Sequence, residues 1–199
     1  MTGATQKLIA HFTRIQPLTP EEERAIVQSM CVQTYKKGTV LLAEGQISTE
    51  CYFVVKGFVR QYYMVDGEEK TGNFFTEEQW VVSFNSFTQK IPANHFFVCG
   101  EDTTLVVGTE SKENDLYRAF PKLESISRSI MGNVFGEQQE HMATYVTDTP
   151  EQRYLKLLKS RPELLQRVPQ YQLAGYIGVK PESLSRIRKR ILNKNEVRV

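Results

Sequence analysis

Glu182, Ser183 and Arg186 fall within five consecutive residues near the C-terminus, and their side chains are of the kinds that read base edges. A guanidinium fork donates two hydrogen bonds to guanine, a carboxylate accepts from the cytosine amine, and a hydroxyl can do either. Arg190 joins them on the outer face of the helix they share, Gln170 and Tyr171 open the segment before it, and Lys180, Arg188, Lys189 and Lys194 crowd the same stretch. Such donors meet phosphate oxygens, which fix register without reading sequence. The chemistry on offer is recognition of duplex DNA. Its candidate residues are Gln170, Tyr171, Lys180, Glu182, Ser183, Arg186, Arg188, Lys189 and Arg190.

For these side chains to reach a groove, two helices must lock at a fixed angle. Residues 170–191, QYQLAGYIGVKPESLSRIRKRI, have the spacing of a helix-turn-helix. Counting Gln170 as first, the small Ala174 is fifth, where the helices cross closely, and Gly178 is ninth, where the turn favours positive φ. Pro181 suits the first turn of the second helix, since its missing N–H costs nothing there. Leu173, Ile177, Val179, Leu184 and Ile187 fill the positions that must be apolar, and Leu184, Ile187 and Ile191 form one stripe. An ordinary helical hairpin with a solvated basic face shares this periodicity. The coincidence of turn chemistry with a basic bias favours the DNA reader.

Charge is divided along the chain. Residues 1–149 carry 13 Lys+Arg against 19 Asp+Glu, whereas residues 150–199 carry 12 against 4. An acidic body joined to a basic tail suits a sensor or oligomerisation domain coupled to a nucleic-acid module. The 199 residues, 40% hydrophobic, suffice for one large core or two modest ones. There is no signal-type leader and no bilayer-length apolar run, so a cytoplasmic protein without a membrane partner is expected. Cys31, Cys51 and Cys99 are far apart and form no CxxC, which predicts reduced, packing cysteines and no metal site. Ser83, Ser86, His95 and the Glu77-Glu78 pair show no nucleophile–base spacing, so no catalytic residue is assigned and no enzyme is expected.

Residues 5–30 read as helical, with Thr19-Pro20 capping a second start. Short β-rich runs follow at 39–42, 52–55, 58–64, 70–75, 96–99 and 105–108, cut by glycines, and predict an antiparallel β-roll or jelly roll. Lys56-Gly57 and Asp66-Gly67 read as hairpin turns. A long helix is expected from Pro121 to about Thr147, and another from Thr149-Pro150. The fold class is therefore α+β. Residues 1–120 form the sensor domain, 121–148 a long dimerisation helix and 149–199 the helix-turn-helix domain.

That order of parts resembles the CRP/FNR family of bacterial transcription regulators, above all in KKGTVLLAEGQ (36–46), YFVVKGFVRQYY (52–63), TPEQRYLKLL (149–158) and residues 168–191. It looks closest to the short members common in the Bacteroidetes. The resemblance implies a cyclic-nucleotide-binding-like β-roll and a homodimer on a pseudo-palindromic site, with RNA polymerase as a further partner. Glu182 and Arg186 match base-reading positions of cyclic-AMP-dependent members, and Ser183 a polar position beside the backbone. Lys180 replaces the usual N-cap serine or threonine, and only Asn193–Val199 follow the second helix, so a truncated wing is expected.

The sensor half departs from the cyclic-nucleotide pattern. Members that bind cyclic nucleotides place a Gly-Glu pair and an arginine around the ribose and phosphate. Here no glycine precedes Glu77 or Glu78, and no arginine occurs between Arg60 and Arg118. Cyclic AMP is therefore not the expected effector. Glu78, Trp80, Ser83, Lys90, Asn94 and His95 mark the candidate effector pocket, for an unidentified small molecule. The nearby aromatic residues either fill the roll or line a pocket for an apolar ligand. A ligand-binding module acting through protein partners, with a vestigial helix-turn-helix, is the alternative.

Overall fold

The structure, a computed structural model, describes residues 3–196, with side chains as far as Asn193. Chain contacts divide it into two units. One comprises residues up to Tyr62 together with Phe74–Gly136. The other comprises Tyr63–Asn73 together with residues from Glu137 onward.

The first unit opens with helices α1 (Gly3–Thr13) and α2 (Pro20–Ser29). A capping box starts α2: Thr19 Oγ1 accepts from the Glu22 N–H, and the Glu22 carboxylate accepts from the Thr19 N–H at 2.7 Å. The same carboxylate pairs with Lys122 at 2.7 Å.

Eight strands follow: β1 (Cys31–Tyr35), β2 (Val40–Leu42), β3 (Glu50–Lys56), β4 (Val59–Val65), β5 (Glu68–Phe75), β6 (Trp80–Val81), β7 (Phe96–Cys99) and β8 (Thr103–Thr109). They build two four-stranded sheets, ordered β1-β8-β3-β6 and β2-β7-β4-β5, with antiparallel pairing such as Phe53 opposite Val106 and Gln61 opposite Phe97. A short helix, α3 (Phe84–Gln89), lies between β6 and β7. Strand β3 is buried on both faces, which is why CYFVV reads as an unbroken apolar run. Tyr52 and Val54 pack with Val59, Phe75, Phe97 and Leu105. Cys51, Phe53 and Val55 pack with Leu8, Phe12 and Ile26 of the helices.

The turn at Asp66-Gly67 joins β4 and β5 as a hairpin, with φ of 54° and 77° suited to the right-handed strand twist. Lys56-Gly57 does not make one. It carries the chain from one sheet to the other, since β3 pairs with β6 and β8 while β4 pairs with β5 and β7. Both events need a positive-φ residue, so the local signal alone cannot separate them. Strands β1 and β6 were not anticipated: β1 is mostly exposed, and β6 is two residues long.

Helices α4 (Glu110–Ala119) and α5 (Pro121–Thr147) follow, then α6 (Pro150–Ser160), α7 (Leu164–Arg167), α8 (Gln170–Tyr176) and α9 (Pro181–Glu196). The division between the units falls inside α5. Leu123, Ile126 and Ile130 bury one side of its first half. Farther along, Phe135 and Met142 are 64% and 72% exposed. Residues 193–196, read from sequence as part of a truncated wing, continue α9 as helix instead. Lys- and Asn-rich sequence without glycine or proline gives the helix no reason to stop there. Residues 197–199 and the Lys194 side chain lie outside the described residues.

Candidate nucleic-acid interface

Helices α8 and α9 are joined by a turn closed by backbone bonds from Gly178 N to Gly175 O at 3.0 Å and from Val179 N to Ala174 O at 2.9 Å. Ala174 is fully buried, and Leu173, Ile177, Leu184 and Ile187 are buried around it. Gly178 has φ +74°, and a Cβ there would stand 3.1 Å from the Tyr145 ring. Lys180, rather than a hydroxyl residue, precedes Pro181 at the start of α9. The Lys180 carbonyl accepts from the Ser183 and Leu184 N–H groups, while its side chain is exposed.

Leu184, Ile187 and the half-buried Ile191 hold one side of α9. At 100° per residue, Glu182, Ser185, Arg186 and Lys189 occupy the opposite side, and all four are exposed. Ser185 was missed from sequence, although its spacing from Glu182 places it on this face. The other candidates flank it. Ser183 is half-buried and accepts from Arg186 Nη2 at 3.3 Å. Arg190 pairs with Glu151 of α6 at 2.9 Å, while Arg188 is exposed near the helix edge. Gln170 and Tyr171, at the start of α8, are exposed too, and Tyr171 OH accepts from Gln172 Nε2.

One arginine holds this hairpin in place, and sequence reasoning did not find it. Arg153 of α6 donates to Ile177 O at 2.8 Å and to Asp148 O at 2.7 Å, and reaches Thr144 O at 3.4 Å. These carbonyls lie at the C-terminal ends of α8 and α5, where helices leave acceptors unpaired. The guanidinium also sits over the Tyr145 ring, and Tyr145 OH donates to Tyr176 O. Burial pushes the Tyr145 phenol up to about 12, so it remains a donor at neutral pH. His141 stacks on Tyr176 with ring centroids 4.9 Å apart, and burial holds its pKa below the usual range, so it is neutral there.

The six candidate effector residues do not converge on one cavity. Trp80 packs on Phe53 and Phe12 on the helical side of the first sheet, and its Nε1 donates to His11 Nε2 at 3.4 Å. Glu78 pairs with Arg14. Lys90 pairs with Glu110 and lies against the Phe87 ring. Ser83 is buried at the start of α3. Asn94 and His95 contact each other at 3.0 Å, and the His95 ring packs on Phe97, inside the roll.

A two-sheet roll, a long helix and a two-helix hairpin with a basic outer face follow one another along the chain. Residues 32–119 match the cyclic nucleotide-binding domain family. The structural neighbours of the chain include CRP/FNR-type transcriptional regulators, whose fold it shares. The c-di-GMP-responsive global regulator CLP of Xanthomonas campestris has a TM-score of 0.69 at 16% identity, over 89% of this chain and 93% of that one. FixK2 of Bradyrhizobium japonicum has 0.65 at 19%, over 83% and 86%. The catabolite activator protein of Thermus thermophilus has 0.55 at 18%, over 91% and 87%. No curated protein sequence matches significantly. No helix among the described residues is long and apolar enough to cross a membrane.

Proposed function

We propose that the chain is a sequence-specific DNA-binding transcription regulator that reads a pseudo-palindromic site as a homodimer and acts on RNA polymerase. The carrying observation is the exposed face Glu182, Ser185, Arg186 and Lys189, set on a helix whose opposite side is locked by the Ala174–Gly178 turn. The dimer reading is supported by α5. Met131, Phe135, Gln138 and Met142 recur at alternating spacings of four and three, and this seam has no cover in the single chain where Phe135 and Met142 stand exposed. Selection of bound duplexes from random DNA yields a two-fold symmetric site with half-sites about one helical turn apart. Affinity for it falls steeply with added salt, as counterion release requires. Recovery of no enriched sequence would instead support a module working through protein contacts.

The effector is not a cyclic nucleotide in this reading. A buried cyclic phosphate without a cation costs several kcal/mol. The segment 61–117 holds no arginine, and Lys90 is engaged by Glu110. The space between the sheets is occupied by Tyr52, Val54, Phe75, Phe97 and Leu105. Calorimetry with cyclic AMP or cyclic GMP therefore shows no micromolar binding; a micromolar Kd for either overturns this part of the reading.

A further inference from the structure

A cavity of about 160 Å³ lies outside the β-roll, between the helical face of the first sheet and helices α1–α5. Cys51, Phe87, Glu113, Tyr117, Ile126 and Met131 are among its lining residues. Protein interiors rarely leave such space, and a dry apolar void of nearly this size in another protein takes up benzene. The lining here is mostly apolar, with one acid among it. Burial raises the Glu113 carboxyl above its usual range. Its protein donor is the Cys51 thiol, with Sγ 3.0 Å from Oε1, and a thiol is a weak donor. Burial raises that thiol well above its usual range too, so it stays protonated. Tyr117, whose phenol oxygen is engaged with Ser127, lines the same wall.

A half-buried carboxyl in a mostly apolar wall, bonded to a weak thiol donor, has acceptor capacity for a donor placed in the cavity it lines. The geometry points to a binding site for a small, neutral, aromatic molecule that carries one N–H or O–H donor, with the ring in the cavity and the donor on Glu113. Anions are disfavoured because the lining is mostly apolar and includes no Lys, Arg or His to pair with them. Met30 and Met131 line the cavity and, being unbranched, can adjust to a ring of varied shape. The site stands whether or not α9 reads DNA, because every lining residue belongs to the first unit.

The test is a titration of the full chain with aniline, benzene and benzoate, followed by methyl NMR of the methionines. Aniline gives saturable shifts at Met30 and Met131, benzene binds about tenfold more weakly, and benzoate does not bind, a hydrogen bond in a largely apolar site accounting for roughly that factor. In Glu113→Met the advantage of aniline over benzene disappears. In Val82→Phe, which adds a ring at the cavity wall and leaves Glu113 in place, both ligands are lost. Absence of saturable shifts with aniline overturns the proposal, as does an undiminished preference for aniline in Glu113→Met or unchanged binding in Val82→Phe.

Discussion

Arg186→Ala is expected to remove most discrimination between the selected site and random duplex while leaving the fold untouched. Arg186 is exposed on α9, opposite the buried Leu184 and Ile187, and its side chain bonds to Ser183 within the same helix. Surface substitutions of this kind change stability by about 0.5 kcal/mol or less. A bidentate arginine–guanine pair contributes about 1–3 kcal/mol of discrimination. In a two-fold complex the loss is counted twice, so specific affinity falls by roughly 30-fold to 10⁴-fold while non-specific affinity falls little. Lys189→Ala, one turn farther along the same face, behaves differently. It weakens specific and random duplex alike and lowers the salt slope by about one per subunit, as loss of a phosphate contact does. Binding competition against random DNA at several salt concentrations separates the two patterns. An unchanged specificity ratio in Arg186→Ala would falsify the assignment of this face.

The two ends of the molecule were not equally legible in sequence. The helix-turn-helix was readable because its constraints are local: Ala174, Gly178, Pro181 and the apolar stripe all fall within one short segment, and each has a single physical reason. The β-roll was readable as a class but not as a topology. Gly57 carries a positive φ in a corner between sheets, and Gly67 carries one in a hairpin, so the same residue type served two long-range outcomes. The long helix was visible from Pro121 onward, but its exposed half was not separable from its buried half until Leu123, Ile126 and Ile130 were seen against the sheet domain. The sensor side failed for the same reason at larger scale. Trp80 and His95 are near in sequence, yet strand geometry puts one against the helices and the other inside the roll. The cavity at Glu113 and Cys51 joins residues 62 positions apart, and no local pattern encodes that pairing.

Arg153 belongs to the same category, and its removal is expected to have the largest effect on stability. Its guanidinium satisfies the carbonyls of Asp148 and Ile177, with Thr144 at the edge of reach, and covers the Tyr145 ring. Arg153→Leu keeps much of the apolar stem but strips donors from partly buried carbonyls, each costing about 1–3 kcal/mol when left unmet. A loss of about 2–4 kcal/mol follows for the unit that holds the helix-turn-helix, allowing for water reaching some of these groups. Arg153→Lys recovers only part, since a single ammonium cannot span two helix ends as the planar fork does. Gly178→Ala strikes the same spot from the other side. It places a Cβ at φ +74° and 3.1 Å from Tyr145, at a cost of about 1–3 kcal/mol. Because Arg153 Nη2 stands 3.5 Å from that added Cβ, the two substitutions share a neighbourhood, and the double variant is less damaged than the two losses added. Chemical unfolding followed at Tyr145 and at Trp80 separates the units, since those residues lie in different ones. The midpoint read at Tyr145 falls in both single variants while that read at Trp80 holds. A drop at Trp80 of equal size would mean that Arg153 supports the whole chain rather than the reading head.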